Sequence, residues 1–133
     1  MDILEEIVAH KRQEVEEWKS MLSFRRLYEL TEPMLEQPVA SMSEALRKST
    51  TGIISEFKRK SPSRGWIHKD AKASVVPRSY QDNGAAALSI LTDEMYFGGY
   101  DEFIQDARAT GVSIPILYKN FIIDEYQLLQ ARH

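Results

Sequence analysis

Three short apolar segments of strand length alternate with segments of helical pattern in the second part of the sequence. The middle segment is apolar on both faces, which is typical of a buried parallel strand. Strands that alternate with helices of about 10–15 residues form parallel βαβ units with right-handed crossovers. The predicted strands are Ile53–Lys58, Ala85–Leu91 and Ile114–Asn120, and the predicted helices cover 73–83, Tyr100–Thr110 and the segment after Asp124. This pattern predicts a parallel α/β fold, but it fits an open sheet as well as a closed barrel.

The fifty residues before the first predicted strand have a helical pattern. Asp2 can cap a first helix, in which apolar residues follow at helical spacing. Lys11 interrupts this apolar stripe, and we expect its long stem to reach past the edge of the core. The alternative is a lysine that lies near a bound anion. Two shorter helices are predicted at 24–30 and 41–47, and the segment 31–38 is predicted to be a connector because it holds two prolines.

The segment 53–65, Ile-Ile-Ser-Glu-Phe-Lys-Arg-Lys-Ser-Pro-Ser-Arg-Gly, places charges inside and after the first strand. Side chains alternate along a strand, so Glu56 and Lys58 share one face. The loop Ser61–Gly65 is rich in donors and cations, and such a loop can cradle a phosphate or a carboxylate. The alternative is an edge strand whose charges face water, followed by a basic surface turn. Spacing alone does not decide between the two.

Further polar and aromatic residues stand at the ends of the two later strands. Lys119 ends the third strand, on the same face as Leu117 and Phe121. The segment Thr92–Gly99 after the second strand is predicted to be a loop. Within it, Phe97 can anchor the loop in the core or form an aromatic wall beside a substrate ring. His68 has no other metal ligand at suitable spacing, so it is interpreted as a loop histidine.

Three segments resemble, in order, the family of indole-3-glycerol phosphate synthases. The family's first strand and loop read approximately E-x-K-x-x-S-P-S-x-G. Two later segments resemble the same family: 84–99, which begins Gly-Ala-Ala-Ala-Leu-Ser-Ile-Leu-Thr-Asp and ends Phe-Gly-Gly, and 115–124, Pro-Ile-Leu-Tyr-Lys-Asn-Phe-Ile-Ile-Asp. One motif would not be specific, but three ordered motifs over nearly the whole chain are. The residues that match the first motif are Glu56, Lys58, Ser61, Pro62, Ser63 and Gly65.

The resemblance implies a fold of the (β/α)8 TIM-barrel family. Residues 1–50 would be a helical extension, and residues 51–133 would be the first three βα units of a single barrel domain. A barrel of this kind typically needs about 250 residues, so the 133 residues are expected to form a partial barrel, the N-terminal part of a longer fold. The family's second catalytic glutamate, an asparagine and the phosphate-binding loops belong to later strands.

An incomplete barrel has consequences for its surface. Strands at open edges invite pairing with another chain, so we expect self-association. The faces around Ala87, Ser89, Leu91 and Leu117 are expected to meet water or another chain. An isolated chain of this kind is expected to be inactive.

The resemblance also implies an activity. Members of the family are carboxy-lyases of tryptophan, and hence aromatic amino acid, biosynthesis. They close a ring on 1-(2-carboxyphenylamino)-1-deoxyribulose 5-phosphate, with loss of carbon dioxide and water. The resemblance implies a phosphorylated small-molecule substrate and neither a metal nor an organic cofactor. Because the chain has no cysteine, a reducing cytoplasm is the expected location.

Particular residues acquire roles by this resemblance. Lys119 would be the general acid at the substrate carbonyl, Lys58 would bind the substrate carboxylate and assist proton transfer, and Glu56 would orient and charge-balance both lysines. The residues that would line the pocket are Ser61 and Pro62, and those that would pack on the aromatic ring are Phe97 and Phe121.

One departure from the family pattern concerns the neighbours of Lys119. The family usually has Arg-Lys-Asp where this chain has Tyr118-Lys119-Asn120. An amide cannot supply the negative charge that a carboxylate would place beside the lysine. The lysine itself is retained.

Composition excludes some other classes of protein. The chain has no cysteine, which excludes disulfides and thiolate metal sites, and its net charge of −3 gives no general bias toward nucleic acid or membranes. No apolar run approaches the ~20 residues that span a bilayer. Two other functions stay open: an anion-binding or assembly module without turnover, and a related phosphate-binding barrel isomerase. The E-x-K-x-x-S-P-S segment argues against the isomerase.

Overall fold

The computed structural model describes residues 2–133, which form two compact units. The first unit combines the residues up to Pro38 with Phe121–His133, and the second is Val39–Asn120. In chain order the elements are α1 (Ile3–Met21), α2 (Phe24–Leu35), α3 (Met42–Lys48), β1 (Ile54–Phe57), β2 (Lys60–Ser61), β3 (Gly65–Trp66), α4 (Val76–Asp82), β4 (Ala87–Leu91), α5 (Glu94–Phe97), α6 (Glu102–Ala109), β5 (Ile116–Lys119) and α7 (Glu125–Arg132). None of the helices within residues 2–133 is both long enough and apolar enough to cross a membrane.

The first unit is helical, and its core joins α1, α2 and α7. The buried residues Val15, Leu27, Tyr126 and Leu129 form this core. The Tyr126 hydroxyl donates to the carbonyl oxygens of Trp18 (3.2 Å) and Leu22 (2.7 Å), which fixes the end of α1 against α7.

Lys11 differs from its expected position at the edge of the core. Its side chain is only 1% exposed, and its ammonium group lies 2.9 Å from Glu14 Oε1 and 5.6 Å from the centre of the Trp18 ring. A carboxylate and an aromatic face can stabilise an ammonium group away from water. The expectation that the lysine reaches past the core was therefore wrong.

Helix α2 is longer than the sequence indicated, since it continues to Leu35 through Pro33. The prediction that 31–38 is a connector was therefore wrong for residues 31–35. Proline removes one backbone donor but leaves the carbonyl groups of the last turn free to accept. Arg132 on α7 donates to the carbonyl oxygens of Met34 and Gln37, so a side chain satisfies the groups at the end of this helix.

The second unit is built on a parallel sheet with the order β1-β4-β5. This result confirms the α/β class and the parallel arrangement. The register places Glu56 beside Ser89, Ser89 beside Leu117, and Leu91 beside Lys119. The outer side of the sheet forms the core with the helices, through Phe57, Ala73, Leu88, Ile90, Ala107 and Val112.

Strand β4 is buried along its whole length. The expectation that Ala87, Ser89 and Leu91 face water was therefore wrong, whereas Leu117 is 45% exposed, as expected. β4 lies between two strands, and the register sets long side chains, those of Glu56 and Lys119, beside its inner residues. These neighbours cover the small side chains of the central strand.

The segment 92–99 was predicted to be a loop, but it contains the one-turn helix α5. Asp93 caps this helix by accepting from the backbone N–H of Tyr96 at 2.9 Å. Gly98 ends it with φ +60°, a left-handed conformation that favours glycine. A single capped turn is too short to show a helical period in the sequence.

Candidate active site

Three side chains from two strands meet at the carboxyl end of the sheet. The Glu56 carboxylate on β1 accepts from Lys119 Nζ, at the end of β5, with a distance of 3.2 Å to Oε2. Lys58 Nζ lies 3.8 Å from the other oxygen, Oε1. The structure therefore brings together the three residues that the sequence predicted as catalytic.

A fourth residue, Ser89, forms a hydrogen bond with the Glu56 carboxylate. The hydroxyl of Ser89, on the central strand, donates to Glu56 Oε2 at 3.0 Å. Ser89 is buried, whereas the Glu56 side chain is 32% exposed and that of Lys119 is 51% exposed. The sequence analysis did not assign a role to Ser89. A serine inside an apolar strand, on the face that Glu56 shares, was the signal that could have identified it.

This arrangement suits a small anionic ligand. Two ammonium groups around one carboxylate leave a net positive charge, and each ammonium group has three donors, of which Glu56 occupies only some. Ion pairs that are this exposed contribute only about 0–1 kcal/mol to stability. We infer that the cluster is better suited to binding and proton transfer than to holding the fold.

The loop that follows β1 is a tight hairpin. Ser61 pairs with Gly65 across it, and the Ser61 hydroxyl accepts from the backbone N–H of Arg64 at 3.2 Å. Gly65 has φ +64°, which explains the glycine at this position. Ser61 is buried with its hydroxyl bonded within its own loop, while Pro62 is exposed.

Arg59 connects this hairpin to the turn that carries Phe97. Its guanidinium donates to the carbonyl oxygen of Gly98 from Nε (3.1 Å) and Nη2 (2.8 Å), and to that of Lys69 from Nη1 (3.0 Å). It also lies 5.3 Å from the ring centre of Trp66. The sequence analysis missed this role because the composition of the basic run 58–60 does not show which side chain turns inward. Strand alternation, which places Arg59 opposite Lys58, was the available signal.

The two aromatic residues predicted to contact the substrate ring occupy different units. Phe97 is half-buried at the end of α5 in the second unit. Phe121 is half-buried in the first unit, where its carbonyl oxygen accepts from Gln127 Nε2 at 2.8 Å. The predicted role of each ring stays a prediction.

The unusual neighbours of Lys119 both form hydrogen bonds. The Tyr118 hydroxyl donates to Asp101 Oδ1 at 2.7 Å, and Asn120 Nδ2 donates to Thr92 Oγ1 at 2.9 Å. Burial, together with the Asp101 charge, raises the pKa of Tyr118 well above its ordinary value, so the phenol stays protonated.

Within residues 2–133 no group of three or more histidine, cysteine, aspartate or glutamate side chains is placed to hold a metal ion.

Comparison with known proteins gives a consistent result. Residues 4–133 match the family model for indole-3-glycerol phosphate synthase. The chain is 51% identical over 132 residues to the indole-3-glycerol phosphate synthase of Bacteroides thetaiotaomicron, an alignment that covers 98% of this chain and 49% of the relative. It is 42% identical over 135 residues to that of Neisseria meningitidis serogroup B, with 98% and 51% covered, and 37% identical over 133 residues to that of Dechloromonas aromatica, with 98% and 50% covered. The chain thus spans about half the length of the curated relatives it matches, and it belongs to the indole-3-glycerol phosphate synthase family.

Proposed function

We propose that this chain supplies the first three βα units of a (β/α)8 barrel, with the acid–base residues of an indole-3-glycerol phosphate synthase. Residues 1–50 would be the helical extension of that single barrel domain, and 51–133 its first units. Family membership and the parallel order β1-β4-β5 support this proposal.

The observation that carries the proposal is the position of Glu56 between Lys119 and Lys58. Ring closure needs an acid at the substrate's carbonyl oxygen while the aromatic carbon attacks the carbonyl carbon. Lys119 is the proposed acid, because its ammonium group is exposed to a ligand and oriented by Glu56. Proton donation at this oxygen turns the carbonyl into a hydroxyl, which a later step releases as water.

Lys58 has a different proposed role. Its ammonium group binds the substrate carboxylate, which leaves as carbon dioxide when the electrons of its carbon–carbon bond return to the ring, and it assists proton transfer. Glu56 holds both ammonium groups in place and balances their charge. The overall reaction involves no net oxidation, so the proposal requires no redox cofactor.

The remaining predicted residues surround this centre. Ser61 and Pro62 are proposed to line the pocket, and Phe97 and Phe121 are proposed to pack against the aromatic ring. The hydroxyl of Ser61 is already bonded to its own loop. In that bond the Ser61 hydroxyl oxygen is the acceptor, so the bond fixes the side chain in its loop.

The proposal can be tested with a chimera. The 133 residues would be fused to the part of the Bacteroides relative that the alignment does not cover. Turnover of the carboxyphenylamino-deoxyribulose phosphate would be followed by indole fluorescence, and we expect activity from the chimera and none from the chain alone.

The control for this experiment is the Bacteroides protein divided and rejoined at the same position. If the rejoined relative turns over and a folded chimera does not, the proposed function is wrong.

A further inference from the structure

The two residues that flank Lys119 in the sequence, Tyr118 and Asn120, are uncharged and point away from the candidate site. Each of them forms a hydrogen bond with another part of the chain. Alternation along β5 places Tyr118 on the face opposite Lys119, and Asn120 follows the strand on that same opposite side. Their hydrogen-bond partners, Asp101 and Thr92, follow the adjacent strand β4.

The Tyr118 hydroxyl donates to the carboxylate of Asp101, and this carboxylate does not cap its own helix. Asp101 stands at the N-cap position of α6, where an aspartate ordinarily accepts from the first N–H groups of its helix. Here its side chain makes no such cap bond, and Oδ1 accepts from the Tyr118 hydroxyl at 2.7 Å. A bond from a neutral phenol to a carboxylate is among the stronger hydrogen bonds in proteins.

Thr92 bonds the next two residues, Lys119 through its backbone and Asn120 through its side chain. Its N–H donates to the carbonyl oxygen of Lys119 at 3.0 Å, and its hydroxyl oxygen accepts from Asn120 Nδ2 at 2.9 Å. Thr92 is itself buried. Three consecutive residues are thus hydrogen-bonded, Tyr118 and Asn120 through their side chains and Lys119 through its backbone carbonyl. The middle residue, Lys119, carries the ammonium group that reaches Glu56.

We propose that Tyr118 and Asn120 are positioning residues, which hold the end of β5 so that Lys119 Nζ stays on the Glu56 carboxylate. They act through hydrogen bonds and not through charge, since neither side chain is ionised. Any effect of these hydrogen bonds on turnover rests on the function proposed above, whereas the position of Lys119 is a property of the chain itself.

The first test measures the position without any turnover. An amine-acylating ester, in substoichiometric amount, labels lysine side chains, and a lysine nitrogen that is hydrogen-bonded to a carboxylate must leave that carboxylate before it can react. Mass spectrometry would give the labelling rate of Lys119 relative to Lys48, which is exposed on α3. We expect Tyr118→Phe and Asn120→Ala each to raise this ratio about two- to tenfold, the effect of one lost hydrogen bond.

Two variants serve as controls. Tyr80→Phe removes a hydroxyl from another half-buried tyrosine of the same unit and should leave the ratio unchanged. Asp101→Asn keeps a neutral acceptor oxygen for Tyr118 and should raise the ratio less than Asp101→Ala, which should act like Tyr118→Phe. A ratio that stays constant in folded Tyr118→Phe would overturn the proposal. The proposal would also be overturned if both Tyr118→Phe and Asp101→Ala failed to fold. The bond between Tyr118 and Asp101 would then stabilise the whole second unit and not only the position of Lys119.

The second test uses the chimera and separates this inference from the proposed function. In an active chimera Tyr118→Phe should lower kcat about two- to tenfold with little change in KM. A higher labelling ratio together with an inactive chimera would support the positioning and reject the function. Unchanged kcat in an active chimera, despite a higher ratio, would overturn the kinetic part of the proposal.

Discussion

Lys119 Nζ lies 3.2 Å from Glu56 Oε2, although their strands, β5 and β1, are separated by β4. Strands two positions apart are about 9.6 Å from each other, and the two long side chains bridge this gap above the central strand. The small side chain of Ser89 leaves room for them and donates to the same carboxylate. The contact therefore depends on three strands at once.

The first prediction concerns the lysine of this contact. In the chimera, Lys119→Ala should lower kcat about 10²-fold or more, the usual contribution of a general acid. Indole fluorescence under saturating substrate gives the rate. Lys48→Ala, a matched change on the exposed side of α3, should leave kcat unaltered. Near-normal turnover of Lys119→Ala would remove this lysine from the mechanism.

A second prediction concerns the stability of the loop that carries Phe97. Gly98 has φ +60°, and a Cβ at this position would lie 2.8 Å from the Trp66 ring. Gly52 has the similar φ of +63°, but a Cβ there would meet nothing within 4 Å. Gly52→Ala should cost about 1–2 kcal/mol of unfolding free energy for the left-handed conformation alone, and Gly98→Ala should cost more.

The two glycine variants are best compared by urea denaturation. The difference between them measures how firmly Trp66 packs against the turn. Equal losses of stability would show that the indole ring moves aside easily, which would contradict a firm contact between Trp66 and Gly98.

The third prediction concerns pH and the first unit. Lys19 Nζ lies 2.9 Å from Asp124 Oδ2, at the N-terminus of α7. This hydrogen bond lowers the pKa of Asp124 below its ordinary value of 3.8 and raises that of Lys19 above 10.5. A lowered carboxyl pKa adds stability above 3.8, which is lost as pH falls through the native value. A raised lysine pKa adds stability below 10.5, which is lost as pH rises through the native value.

Asp124→Asn isolates this effect, because asparagine caps a helix about as well as aspartate. The variant should be less stable than the parent chain between about pH 4 and 10, with the difference vanishing in acid below the native pKa of Asp124. Chemical unfolding across this pH range gives the measurement. A difference that persists unchanged at pH 2 would show that the cap, and not the ion pair, is responsible.

Parts of this structure could be predicted from the sequence, and the reasons differ from part to part. The parallel strands follow from the alternation of strand and helix patterns, whereas the contact between Glu56 and Lys119 was implied by the family resemblance. Helix α2 was underestimated because Arg132, a residue 98 positions after Met34, donates to the Met34 carbonyl oxygen in its last turn. Such long-range partners leave no local signal.

Arg59 and Tyr118 illustrate the same limit within the site. Their partners are the backbone of Gly98 and the carboxylate of Asp101, and both lie far along the chain. The sequence showed that Tyr118 and Asn120 depart from the family pattern, but only the fold shows which groups they bond. Composition and spacing identify groups that carry charge, whereas they do not identify the residues that hold those groups in place.

The last prediction concerns the 133-residue chain in solution, which we expect to self-associate. Among the described residues β1 and β5 each pair only with β4, so one edge of each strand has unpaired backbone groups. Ile54 and Leu117, on the inner side of these strands, are each 45% exposed. Open edges beside apolar side chains favour pairing with another chain.

Light scattering at low micromolar concentration would measure this association. Ile54→Lys places a charge beside the open edge of β1 and should reduce it, whereas Val75→Lys, at an exposed site just before α4, should not. We also expect no turnover from the chain alone, since the proposed acid would act in an open, wet site, in which water screens the charges that orient it. A monodisperse monomer of 15.3 kDa with turnover like that of the chimera would refute both expectations.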